Sequence, residues 1–152
     1  MYINKFLKLL MVIFLLLVVT SCGKNEDKLP VEVLKFGSGI ITDIDGKKIF
    51  TETEDVPYKS GQIFGWYMYI RSNTENIKLF EVLHLSDVGV WSNSNNIIVS
   101  NDRKSAGKVK DETNTGYIKG GWSIVKGDPK GKSTIDVYIN NKIIHSFHYN
   151  VN

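Results

Sequence analysis

Gln62-Ile63-Phe64-Gly65-Trp66-Tyr67-Met68-Tyr69-Ile70-Arg71-Ser72 sets Phe64, Trp66, Met68 and Ile70 at every second position, with Ile63, Tyr67 and Tyr69 between them. Side chains of a β-strand alternate between two faces. Four large apolar groups on one side therefore mark a strand that covers a core, with Trp66 inside it. Tyr67 and Tyr69 are carried on the opposite side.

The segments before this strand read in the same way. Val31–Phe36 is short and β-branched, and Gly37-Ser38-Gly39 is expected to break it. Ile40-Ile41-Thr42 runs into Asp45-Gly46, a dipeptide suited to a tight hairpin, and Lys47–Thr53 returns. Val56-Pro57 interrupts pairing, because proline has no N–H to donate.

Beyond Ser72, the polar run Asn73–Asn76 turns the chain and Ile77–Leu85 forms the next strand. A polar loop at Asn93–Asn96 precedes Ile97-Ile98-Val99, and Asp102–Asn114 reads as a long mobile connection. Tyr117–Val125 is a further strand, in which Gly120-Gly121 suggests a bulge or a close backbone approach. Gly127-Asp128-Pro129-Lys130-Gly131 reads as a turn, with Gly131 supplying positive φ.

Ile135, Val137 and Ile139 share a face, as do Ile143, Phe147, Tyr149 and Val151. A three-residue loop, Asn140-Asn141-Lys142, would pair Ile139 with Ile143 and bring both rows to one side. Seven to nine short strands with regular turns and no amphipathic helix define an all-β chain. The expected architecture is an immunoglobulin-like antiparallel β-sandwich spanning residues 31–152.

A chain of 152 residues is the length of one domain. Two of its 19 bases, Lys5 and Lys8, lie in the leader described below, which leaves 17 bases against 16 acids and a mature charge of +1. Nucleic-acid binding needs a clustered basic face, and this balance argues against it. A hydrophobic content of 42% suffices for a core. With one cysteine, Cys22, no intrachain disulfide can staple the fold.

Residues 1–21 have the three parts of a secretory signal. Lys5 and Lys8 form the basic region, and Leu9–Val19 is an apolar run of 11 residues, short of the roughly 20 that span a bilayer. Val19-Thr20-Ser21-Cys22 resembles the bacterial lipobox. That resemblance implies a diacylglyceryl group on the Cys22 thiol, cleavage before it and acylation of the new amine. Two or three acyl chains hold a membrane stably, at about 0.8 kcal/mol per buried CH₂. Residues 22–30 read as a polar tether closed by Pro30. No aspartate follows Cys22, which by the same resemblance favours the outer membrane. The Lys24-Asn25-Glu26-Asp27 cluster also looks like tethers that carry some lipoproteins to the cell surface.

Candidate chemistry is sparse. His145 and His148 stand three apart on a strand and so face opposite ways, which prevents a shared metal. His145 is expected to join the apolar row as a partly buried, hydrogen-bonded side chain. His84 has no ligand set around it. No serine lies in a strand–elbow–helix context, and Glu52, Glu54 and Asp55 read as a solvated charged stretch. No catalytic residue, metal or cofactor is therefore assigned. The aromatics Tyr67, Tyr69, Trp91 and Trp122 are the candidate ligand contacts, with an apolar body and a polar tip suited to glycan or protein binding. Trp91, beside a loop, is expected to be the most exposed of them.

Val56-Pro57-Tyr58-Lys59-Ser60-Gly61-Gln62-Ile63-Phe64-Gly65-Trp66 resembles a pattern of the bacterial DUF3859 domain family. Gly121-Trp122-Ser123, Gly127-Asp128-Pro129-x-Gly131, Ile135-Asp136-Val137 and Phe147-x-Tyr149-x-Val151 resemble its second half, although Ser133 stands where relatives often carry an aromatic. The resemblance implies an immunoglobulin-type sandwich and transfers no catalytic residue. Three functions are then open. The first is a lipid-anchored, non-enzymatic module that binds an envelope component, an extracellular macromolecule or a glycan. The second is an inhibitor or immunity-type lipoprotein that blocks an enzyme through the 102–114 loop. The third is a hydrolase, which would need a cleft of clustered acids or histidines.

Overall fold

A computed structural model describes residues 31–92, 96–113 and 116–152, without the side chains of 111–113. The leader, the tether and Cys22 lie outside the described residues. Ten strands follow in order: β1 (Glu32–Ile44), β2 (Lys47–Glu52), β3 (Asp55–Val56), β4 (Ile63–Arg71), β5 (Asn76–His84), β6 (Ile97–Val99), β7 (Ser105–Thr113), β8 (Tyr117–Ser123), β9 (Gly131–Ile139) and β10 (Lys142–Val151). They form a four-stranded sheet ordered β2-β1-β4-β8 and a six-stranded sheet ordered β3-β10-β9-β5-β7-β6. This is the expected all-β sandwich. Its pairings are antiparallel except for the short parallel contact of β3 with β10.

The core lies where the alternation places it. Phe64, Trp66, Met68 and Ile70 of β4 are buried against Ile135, Val137 and Ile139 of β9 and Phe147, Tyr149 and Val151 of β10. Trp66 stacks on Phe147 with ring centroids 5.8 Å apart, and the Tyr149 hydroxyl donates to Gly65 O across the two layers at 2.8 Å.

Three local expectations are corrected. β1 runs unbroken through Gly37 and Gly39, because both glycines sit where a side chain would collide with a neighbour. An added Cβ at Gly39 would meet the Thr51 carbonyl, and one at Gly37 would meet the Tyr67 ring. The 102–114 segment is largely a strand, since β7 pairs with β5 over nine positions, from Asn76↔Thr113 to His84↔Ser105.

The third correction is the last hairpin, whose loop has two residues. Ile139 pairs with Lys142, and Asn140 (φ 50°) and Asn141 (φ 65°) adopt the left-handed pair of a type I′ turn. A bulge then inserts Ile144, so that His145 faces Val137 and Phe147 faces Ile135. The parity demand is the expected one, but a bulge meets it, and Ile143 is left exposed. Asp45 (φ 53°) and Gly46 (φ 77°) make the matching turn between β1 and β2.

Candidate functional site

The outer face of the four-stranded sheet gathers aromatic rings from three strands. Tyr67 and Tyr69 project outward from β4, opposite Trp66 and Met68. Register then places Tyr117 and Lys119 of β8 beside them on one flank, and Lys35 and Gly37 of β1 on the other. Because Gly37 has no side chain, the Tyr67 ring lies across β1 and its hydroxyl reaches β2, donating to Glu52 Oε1 at 2.5 Å. That bond, more than any other cause, pushes the Tyr67 phenol up to about 12, so it stays protonated.

Ring centroids are 6.0 Å apart for Tyr67–Tyr69, 5.0 Å for Tyr69–Tyr117 and 5.4 Å for Phe50–Tyr67. They line a concavity of ≈ 370 Å³ rimmed by Lys35, Lys48 and Lys119. Tyr69 is 45% exposed, in the middle of a strand that is otherwise largely core.

The other two candidate aromatics are elsewhere. Trp122, expected to be exposed, is buried at 7%, because its partner across β4–β8 is the inward-facing Phe64. Trp91 is half-buried and packs edge-on against Trp122 at 5.9 Å, with its indole N–H donating to Arg103 O at 2.7 Å. These two indoles close one end of the sandwich. The four candidates therefore divide into an outward tyrosine pair and an inward tryptophan pair.

Beside Trp122 lies a polar clasp that the sequence reading missed. Glu81 of β5 is 2% exposed, and its Oε2 accepts the Trp66 indole N–H at 2.7 Å. Lys108 of β7 lies over the Trp122 ring, 3.7 Å from its centroid, and donates to Gly121 O at 2.9 Å. Its ammonium is 3.8 Å from Glu81 Oε1, which is ion-pair range but too long for a hydrogen bond. Burial raises the Glu81 carboxyl and lowers the Lys108 ammonium, and each opposes the other's shift. Gly120 makes room for the clasp, since a Cβ there would meet Glu81 Oε2 and the Trp66 ring.

On the outer face of the six-stranded sheet, register assembles a row from four strands. His84 Nδ1 lies 2.9 Å from Ser105 Oγ and its Nε2 lies 3.0 Å from Asp136 Oδ2, while Ser146 Oγ donates to Asp136 Oδ1 at 2.6 Å. The residue types are those of a serine nucleophile, base and orienter. The setting differs from a catalytic one. The row lies on a sheet face, and the Ser105 N–H, the nearest candidate oxyanion donor, is taken by Ser100 Oγ at 3.0 Å. We read it as a cross-strand polar ladder.

His145 joins the apolar row between Phe36 and Phe147, with centroids at 4.1 and 4.6 Å, and burial lowers its pKa. His148 projects from the other face toward Thr134. Among the described residues, no three His, Cys, Asp or Glu side chains gather as a metal site, and no helix is long and apolar enough to cross a membrane.

Two layers of almost wholly antiparallel strands around a single core place the molecule among immunoglobulin-like sandwich domains. An immunoglobulin-like protein from Pseudomonas aeruginosa superimposes with a TM-score of 0.58 at 15% identity, covering 83% of this chain and 99% of that one. At that identity the likeness is one of fold. The alkylpurine DNA glycosylase AlkC of Pseudomonas fluorescens, solved bound to DNA containing an abasic-site analogue, gives a TM-score of 0.48 at 9% identity, covering 82% of this chain and 31% of that one. No curated protein matches the chain in sequence. Residues 36–152 match the PM0630 beta sandwich domain, and the chain belongs to that family.

Proposed function

We propose that this protein is an exported, non-enzymatic binding module, held by lipid on Cys22 to the bacterial envelope, with the outer membrane favoured. Its ligand surface is the outer face of the four-stranded sheet. One observation carries the reading: Tyr67, Tyr69, Tyr117 and Phe50 converge on the side of the sheet that faces away from the core. Burying those rings in the domain would have been the default, and an outward aromatic cluster is characteristic of contact surfaces.

The test is affinity capture from envelope extracts with the full-length chain in detergent, beside a Tyr67→Ala/Tyr69→Ala variant. Bound material should be lost with the double variant while the thermal transition is retained. Unchanged capture contradicts the reading. The anchor is tested separately, by detergent-phase partition of a Cys22→Ser variant, which should move to the aqueous phase.

The inhibitor reading loses its plug, because 102–114 is mostly strand β7. It gains a different protruding element. Thr42 to Glu52, the outer part of the β1–β2 hairpin, is exposed on both faces and carries Ile44, Ile49 and Phe50. Ile44→Ser/Ile49→Ser should abolish inhibition of a target enzyme if this reading holds.

A further inference from the structure

We infer that the outer face of the four-stranded sheet takes an acidic glycan, a chain of sugars bearing carboxylates. The inference rests on the binding-face reading above and adds the class of ligand. Its first support is charge. Lys35, Lys48 and Lys119 rim the concavity, and no acidic side chain among the described residues lies within ion-pair distance of any of them. Two acids of the β1–β2 hairpin direct their hydrogen bonds to neutral donors and not to the rim. Glu52 accepts the Tyr67 hydroxyl, and Asp43, opposite Lys48 in register, accepts the Gly46 N–H at 2.9 Å. Three cations around one hollow, none in an ion pair with an acid among the described residues, favour an anion.

The second support is shape. A space of ≈ 370 Å³ suits one or two sugar rings, and it falls at the lower end of small-ligand sites, about 300–1,000 Å³. Its aromatic members are mostly tyrosines, whose ring faces can stack on the C–H face of a pyranose while their hydroxyls meet its polar edge. Tyr69 and Tyr117, tilted 52° to each other, offer two such faces beside Lys119. An extended acidic peptide would present carboxylates to the lysines but no flat C–H face to the rings.

The test uses the full-length chain in detergent and calorimetric titration with oligogalacturonate, a hyaluronan oligomer, the methyl ester of the oligogalacturonate and a poly-glutamate of matched length. At least one uronate oligomer should bind about tenfold or more tightly than the uncharged ester, with affinity falling as salt is raised. Lys48→Gln/Lys119→Gln should erase most of that preference. Tyr69→Ala should weaken the acid and the ester alike, by about tenfold.

The inference is overturned if neither uronate oligomer binds, if the ester binds as tightly as the acid, or if poly-glutamate binds as tightly as the oligomers. In each of these cases the binding-face reading still stands if Tyr67→Ala/Tyr69→Ala abolishes capture from envelope extracts, so the two failures are distinguishable.

Discussion

Trp66 Nε1 on β4 donates to Glu81 Oε2 on β5 at 2.7 Å, joining the two layers of the sandwich by a hydrogen bond between buried side chains. A carboxylate 2% exposed depends on each donor that reaches it. Trp66→Phe keeps an aromatic ring on Phe147 but removes the donor. It should destabilise the domain by about 2–4 kcal/mol, measured as a lower urea midpoint with an unchanged slope. An unchanged midpoint would mean that the bond contributes nothing to stability.

The same carboxylate sets a pH dependence. Burial raises the folded-state pKa of Glu81 above its ordinary 4.5, against the pull of Trp66, Lys108 and Lys110. Folded chains keep that proton at pH values where unfolded chains have lost it. Stability should therefore fall as pH rises from about 4.5 to the raised folded value, and level off beyond it. Lys108, lowered chiefly by burial, adds the opposite trend in the alkaline range, where the folded chain sheds its proton first. Glu81→Gln should remove the acid-side slope in urea titrations between about pH 4 and 8.

At the β9–β10 turn, Asn141 holds a φ of 65°, which asparagine tolerates and a β-branched residue does not. Asn141→Val should cost about 1–2 kcal/mol, and Asn141→Gly should be close to neutral, by thermal denaturation.

How much of this was legible beforehand depends on which force shaped each element. β4 and β9 could be read because every second residue is a large apolar group, and burial enforces that period. β7 could not. Ser105–Thr113 is mostly polar, and it becomes a strand through its register with β5, with the Lys108 ammonium set over the Trp122 ring. The final hairpin was half legible: the two apolar rows require an odd offset, but a three-residue loop and a type I′ turn with a bulge at Ile144 satisfy it equally.

At the candidate site, Tyr67 and Tyr69 could be assigned a side from β4 alone. Trp122 could not, because its direction follows from pairing with Phe64 in another strand. Tyr117, Phe50 and the lysine rim come from three other strands, and only the register collects them.

The Ser105–His84–Asp136 row yields a sharp negative prediction. Its distances would suit an activated serine, but the Ser105 N–H is already held by Ser100 Oγ. A fluorophosphonate probe should leave Ser105 unmodified in intact-mass spectra under conditions that label a serine hydrolase fully. Labelling that disappears in His84→Ala would instead establish a reactive nucleophile.

Site-specific photo-crosslinking in living cells tests the binding face most directly. A benzophenone amino acid would replace Tyr69 on the outer face of the four-stranded sheet, or Val109, exposed on the six-stranded sheet, as the control. Crosslinked envelope material at position 69 and little at position 109 is the predicted result. Equal yields at both positions, or adducts at 109 alone, would contradict it.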